Sequence, residues 1–250
     1  MNATLRLARA ELRKLFTTRA LPVSFAIAIV LAVGSVIIQA MVAGKNGAAP
    51  LGTDANVYQM LKFGAVTSVV MLILGILAAG GEFRHRTIVP ALLATPSRGR
   101  IFAVKVAVIA GLGAAFSAAV FGLGLGTVAL ELSAHGIHHL PAGIGSLYLG
   151  TVIASACFGM IGVALGALTR NTIGAIVAAI TWALFIETVI LNAVAPGLEK
   201  WLPTGAATGL TNAPGHGHSL TPAVAGTVLT GYAIVLLLAA IRTTMRRDVA

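Results

Sequence analysis

The chain has 250 residues, 58% of them hydrophobic and only 10% charged, with a formal net charge of +10 and a mean hydropathy of +0.96. A water-soluble domain carries roughly 25% charged residues, so this balance excludes an ordinary soluble enzyme or binding module and points to an integral membrane protein. The basic residues lie dispersed between apolar runs, without the aromatic–basic mixing of a single-strand binder, so the charge does not indicate nucleic acid as a partner.

Residues 4–19, TLRLARAELRKLFTTR, place Leu5, Ala8, Leu12, Leu15 and Phe16 on one helical face, with Arg6, Arg9, Arg13 and Lys14 around the rest. This pattern predicts a basic amphipathic helix lying in the membrane interface. A signal-peptide n-region is the competing reading. The apolar run that follows is longer than the roughly 7–15 residues of an h-region, which argues against it. Pro22 marks a break before the first span.

Apolar runs then predict six spans, at about 21–42, 58–79, 101–130, 144–168, 172–194 and 222–241, of lengths that suit a bilayer crossing. A short polar loop, GKNGAAPLGTDAN, separates the first two. The third is long enough to tilt or to project beyond the bilayer. SAHGIHHLPAG follows it, and Thr169-Arg170-Asn171 is a minimal turn between the fourth and fifth spans. Residues 195–221 form an external loop rich in Pro, Gly, Thr and His, and RTTMRRDVA ends the chain.

An even number of spans puts both termini on one side. All of the 17 Lys and Arg except Lys45, Lys62 and Lys200 then share that side. The positive-inside rule makes it the cytoplasm. The single cysteine, Cys157, lies inside an apolar run and offers neither a disulfide framework nor a cysteine-based metal site. The halves show no matching interrupted helices of the kind that mark inverted-repeat transporters. The expected fold is therefore one all-α membrane domain over residues 1–250, with six transmembrane helices and an N-terminal interfacial helix.

The long polar interruption near the middle is Gly80–Lys105, GGEFRHRTIVPALLATPSRGRIFAVK. It holds Arg84, Arg86, Arg98, Arg100 and Lys105 with one acid, Glu82. Thr87 to Ala94 reads as a short helix, with Thr87 as N-cap and Pro90 in the first turn, closed by Pro96 and Gly99. One reading is a docking surface for another protein. The other is a loop whose charges only set topology or meet anionic lipid head groups.

No GxxxxGK[ST], HExxH, GxSxG or paired intramembrane carboxylate occurs, so no catalytic residue, metal site or cofactor is expected within the chain. Four features occur together: the basic amphipathic helix, six spans, GEFRHRTIVPALLATPSRGR between the second and third, and a long external segment before the sixth. In this combination the chain resembles the permease subunit of an ATP-binding-cassette (ABC) exporter of the type-2 membrane-domain family.

The resemblance implies that residues 4–19 are the connecting helix and that residues 80–100 hold a cytoplasmic coupling helix, which inserts into an ATPase subunit. Glu82, Arg84, Arg86, Thr87, Pro96 and Arg98 occupy the places of the family's loose pattern, and Arg100 extends the basic surface. Arg86 stands where the family often has Gly. The resemblance further implies ATPase partner subunits that use ATP and Mg²⁺, and a second permease copy or homologue met through the first and fifth spans. It implies transport out across a bacterial cytoplasmic membrane of a hydrophobic or amphipathic substrate such as a drug, antibiotic, peptide or lipid. A non-ATP-driven transporter, or a membrane accessory or immunity protein, is the alternative.

Glu187 lies within the predicted fifth span, in TWALFIETVILNAV. A charge near the centre of a span costs roughly 2.5–3.5 kcal/mol on insertion scales. Glu187 is expected to line the substrate path, or else to reach the outer interface or bond Asn192, Lys62 or nearby backbone. His135, His138 and His139, with His216 and His218, are external loop residues, and HxxHH with HxH make a metal site only if the two loops meet. Gly122/Gly126 and Gly162/Gly166 form GxxxG pairs expected to pack within the bundle. Trp201 suits an interface anchor. The segment Pro196 to Pro222 resembles the family's re-entrant external helices, although its Gly and Pro content argues against helix.

Overall fold

The computed structural model describes residues 3–45, 47–84, 98–191, 193, 197–211 and 219–246. Their regular structure is entirely helical. Five of these helices are long and apolar enough to cross a membrane: Ala20–Val42, Asp54–Gly81, Gly99–Ala134, Ile144–Thr169 and Pro222–Thr243.

Helix α1 (Ala3–Thr17) is the amphipathic segment. It ends where the Thr17 and Thr18 hydroxyls donate back to the carbonyls of Lys14 and Leu15, at 3.0 and 2.8 Å. Pro22 falls in the first turn of α2 (Ala20–Val42), where a missing N–H breaks no intrahelical bond. Helix α3 (Asp54–Met60) starts earlier than the expected second span because Thr53 caps it, its hydroxyl accepting from the Asn56 N–H at 3.3 Å. A 3-10 turn, Leu61–Phe63, carries the chain from α3 into α4 (Gly64–Arg84). Helix α5 (Arg98–Ala134) has 37 residues. At 1.5 Å per residue it is about 55 Å long, well beyond a hydrocarbon core of about 30 Å.

Helices α4 and α6 (Ile144–Thr169) form the centre, packed backbone to backbone. A methyl group on Gly75 would collide with the Gly159 carbonyl, and one on Gly162 or Gly166 with the carbonyls of Leu72 or Ile76. Small residues let membrane helices approach this closely. Thr67 and Ser155 share a buried hydroxyl bond of 2.9 Å in the same seam. The Gly162/Gly166 pair thus packs within the bundle as expected. Gly122 and Gly126 do not, because nothing lies within 4 Å of a side chain built on either. The glycine that matters in α5 is Gly124, which sits under the Phe63 ring. Phe25 against Phe116, edge to face at 5.3 Å, ties α2 to α5.

The turn at 169–171 closes tightly. Arg170 takes a left-handed conformation (φ 52°), its N–H donating to the Gly166 carbonyl, and the Asn171 side chain caps the next helix through the Gly174 N–H. That helix departs from expectation: α7 (Thr172–Thr181) continues as a π-helix over Trp182–Leu191. The segment 195–221, read as a loop from its composition and as helices from the resemblance, is partly helical. A 3-10 turn, Glu199–Trp201, leads into α8 (Pro203–Thr211), despite the Gly and Pro content. Tertiary packing supplies what propensity lacks here. Gly205 lies against the Glu199 carbonyl, Gly209 against Leu220 and Ala225, and the Leu210 carbonyl against Gly150 of α6. Helix α9 (Pro222–Arg246) completes this second cluster, where Ala206, Leu210, Ala225, Leu229 and Phe158 are buried together.

Candidate functional site

Among the described residues, buried charged side chains gather at two centres. The first lies where α1 meets the facing ends of α4 and α5. Glu11 and Lys105 are each only 4% exposed. The Lys105 ammonium donates to Glu11 Oε2 at 2.5 Å and to the Ala78 carbonyl at 3.3 Å, while Lys14 donates to Glu11 Oε1 at 2.7 Å. Burial pushes the Glu11 carboxyl up. The Lys105 and Lys14 ammoniums beside it outweigh that and hold it below the ordinary glutamate range. One carboxylate thus fastens the amphipathic helix α1 to both helices that flank residues 85–97. A cavity of about 370 Å³, lined by Glu11, Lys14, Leu15, Leu77 and Lys105, lies beside it.

The expected docking residues fall largely on that flanked segment. Arg86, Thr87, Pro96 and the short helix Thr87–Ala94 lie outside the described residues, as do the side chains of Glu82, Arg84 and Arg98. Arg100 is described, and it is exposed in the first turn of α5.

The second centre is Glu187, 1% exposed. Its carboxylate does not bond Lys62, and Asn192 lies outside the described residues. Its Oε1 accepts from the Trp182 indole N–H at 2.5 Å, and its Oε2 from the Thr204 backbone N–H at 2.7 Å. The π register makes the first bond. Residues five apart in an α-helix point about 140° from each other, whereas the wider i→i+5 turn brings them to one side. The second bond caps α8. Pro203 occupies its first position, where no N–H is needed, and the Thr204 N–H is one of the orphan donors of a helix start. A carboxylate there also meets the positive end of the helix dipole. Among the described residues no Lys, Arg or His pairs with Glu187.

Glu187, Trp182 and Thr204 form one end of a cavity of about 390 Å³. Its other walls are largely apolar and include Leu72, Phe158, Leu165 and Tyr232, with Thr169 among them. The Thr204 hydroxyl is buried beside the Glu187 carboxylate.

Sequence reasoning found Glu187 but not its partners, and it passed over Glu11. The signal for Glu11 was present: it is the only acid in a strongly basic amphipathic helix. For Trp182 there was none, because an α-helical period separates it from Glu187. The histidines add little. His139 approaches Asp54 at 3.8 Å and His135 approaches Glu131 at 3.9 Å, both exposed. Among the described residues no three His, Cys, Asp or Glu side chains converge, and His216 and His218 lie outside those residues. Neither a protein-family model nor a curated protein matches the chain.

Proposed function

We propose that the chain is the membrane-spanning permease subunit of an ATP-driven exporter of the ABC type-2 kind, working with separate ATPase subunits that hold the ATP and Mg²⁺. The observation that carries this reading is the Glu11–Lys105 clamp. It ties the interfacial helix α1 to the Ala78 end of α4 and the first turns of α5, so a push on residues 85–97 acts on three helices at once. The glycine seam between α4 and α6 brings the two backbones into direct contact, a route by which such a push would pass into the bundle. With no phosphate-binding loop in the sequence, an energy source belongs to a partner.

In this reading Thr172–Leu191 is a sixth span, and both termini lie with the basic segment on the cytoplasmic side of a bacterial membrane. Its twenty residues suit a crossing. Apolar side chains face outward from α2 (Val23, Ile27, Val30) and from α7 (Ile173, Val177). These are the first and fifth spans of the resemblance and the surfaces for a second copy, with lipid around the rest. Glu187 and its cavity belong to the substrate path.

The test is charge reversal at Arg84, Arg86 and Arg98, with membrane insertion checked. Copurifying ATPase subunits should be lost. If they bind and are stimulated as before, docking at this segment is wrong. If transport proceeds with no ATPase present, the protein is a secondary transporter instead.

A further inference from the structure

The cavity beside Glu187 combines three properties. Its volume, about 390 Å³, lies at the lower end of the roughly 300–1,000 Å³ of small-molecule sites. That is room for one compact molecule rather than a two-chain lipid. Its walls are apolar, and Trp182, Phe158 and Tyr232 contribute aromatic rings. Its one charged wall residue is a buried carboxylate that neutral donors hold in place and that no cation among the described residues offsets.

These properties select by charge. In a low-dielectric surround a carboxylate sets the sign of the potential over several ångströms. The Trp182 indole hands its N–H to that carboxylate and lines the cavity itself. Aromatic faces attract cations and repel anions. We propose that this cavity, within a single copy of the chain, binds a hydrophobic organic cation. The apolar body of the ligand fills the space between Leu72, Leu165 and Tyr232. Its positive centre lies toward Trp182, in the field of Glu187. Glu187 is then a specificity-determining residue that acts through charge. This names the ligand class for the cavity that the transport reading assigns to the substrate path. It rests on that reading for its purpose only.

The experiment uses the full chain in nanodiscs of uncharged lipid, without ATPase subunits, so its outcome is separate from that of the docking test. Replacing Trp201→Phe leaves Trp182 as the sole tryptophan, since the chain has two. The probe is tetraphenylphosphonium, and its anionic counterpart of the same shape is tetraphenylborate. The expected result is saturable quenching of Trp182 by the cation above that of empty nanodiscs, with no saturable component for the anion. Glu187→Gln should weaken the cation about tenfold or more, as expected for losing a charged partner. Because Glu187 also caps α8, a second variant leaves its bonds intact: Ala179→Phe fills the cavity from α7 and should abolish saturable binding while the thermal midpoint stays near that of the parent. Equal binding of the anion, or cation binding unchanged in Ala179→Phe, overturns the proposal. So does unchanged binding in a folded Glu187→Gln protein.

Discussion

Glu11 and Glu187 are both buried carboxylates, and the chain satisfies them in opposite ways. Glu11 is neutralised by two ammonium groups, whereas Glu187 accepts from an indole and a helix-start amide, with no ammonium or guanidinium among the described residues beside it. A buried charge must be paired or hydrogen-bonded to be tolerated. An ion pair satisfies that need and ends there, leaving little field outside. Neutral donors satisfy the bonds and leave the charge to act on whatever enters the cavity. The Glu11 centre is built to fasten and the Glu187 centre to select.

The sharpest way to break this contrast is to remove one partner of the ion pair. Glu11→Gln leaves Lys105 buried without its carboxylate, and breaking a buried pair costs about 3–5 kcal/mol. Thermal unfolding of the purified protein should shift downward accordingly. The double replacement Glu11→Leu with Lys105→Met should recover most of the loss, since an apolar pair of similar volume is often neutral. If the single change is silent, the clamp does not hold α1. At the other centre, Trp182→Phe removes a neutral donor and leaves Glu187 Oε1 without its indole partner. That should cost about 1–3 kcal/mol, less than the ion-pair change. A loss as large as that of Glu11→Gln would mean that the two centres are not of different kinds.

What the sequence made legible follows from the range of each signal. Composition and apolar runs act over about twenty residues, so the long helices could be read closely and the 169–171 turn placed to the residue. The basic amphipathic α1 was legible from its period alone. Signals that depend on contact were not. Gly162 and Gly122 sit in the same GxxxG spacing, yet only Gly162 faces a neighbouring backbone. No feature internal to a helix says which face another helix will take. Helix α8 was legible only through the resemblance, because its Gly-rich sequence is a poor helix former and its order comes from α6, α9 and the Glu187 cap. The π-helix was hidden because α periodicity is the template against which apolar runs are read. Glu187 was legible because a charge inside an apolar run stands out wherever its partners are.

The smallest effect expected separates the centres by pH. The Glu11 carboxyl is held below its ordinary value in the folded protein, whereas in the unfolded chain it titrates near 4.3. A depressed carboxyl contributes stability that is fully present above the unfolded value and is lost as pH falls through the folded one. The gap in unfolding midpoint between the parent and Glu11→Gln should therefore be constant from neutral pH to about pH 5 and close progressively below about pH 4. The double Glu11→Leu, Lys105→Met protein should show no such closing against Glu11→Gln, because neither carries a carboxyl at this centre to protonate in acid. A gap that persists unchanged at pH 3 would mean that Glu11 stabilises α1 by packing, and that the ammoniums of Lys105 and Lys14 contribute no differential charge interaction there.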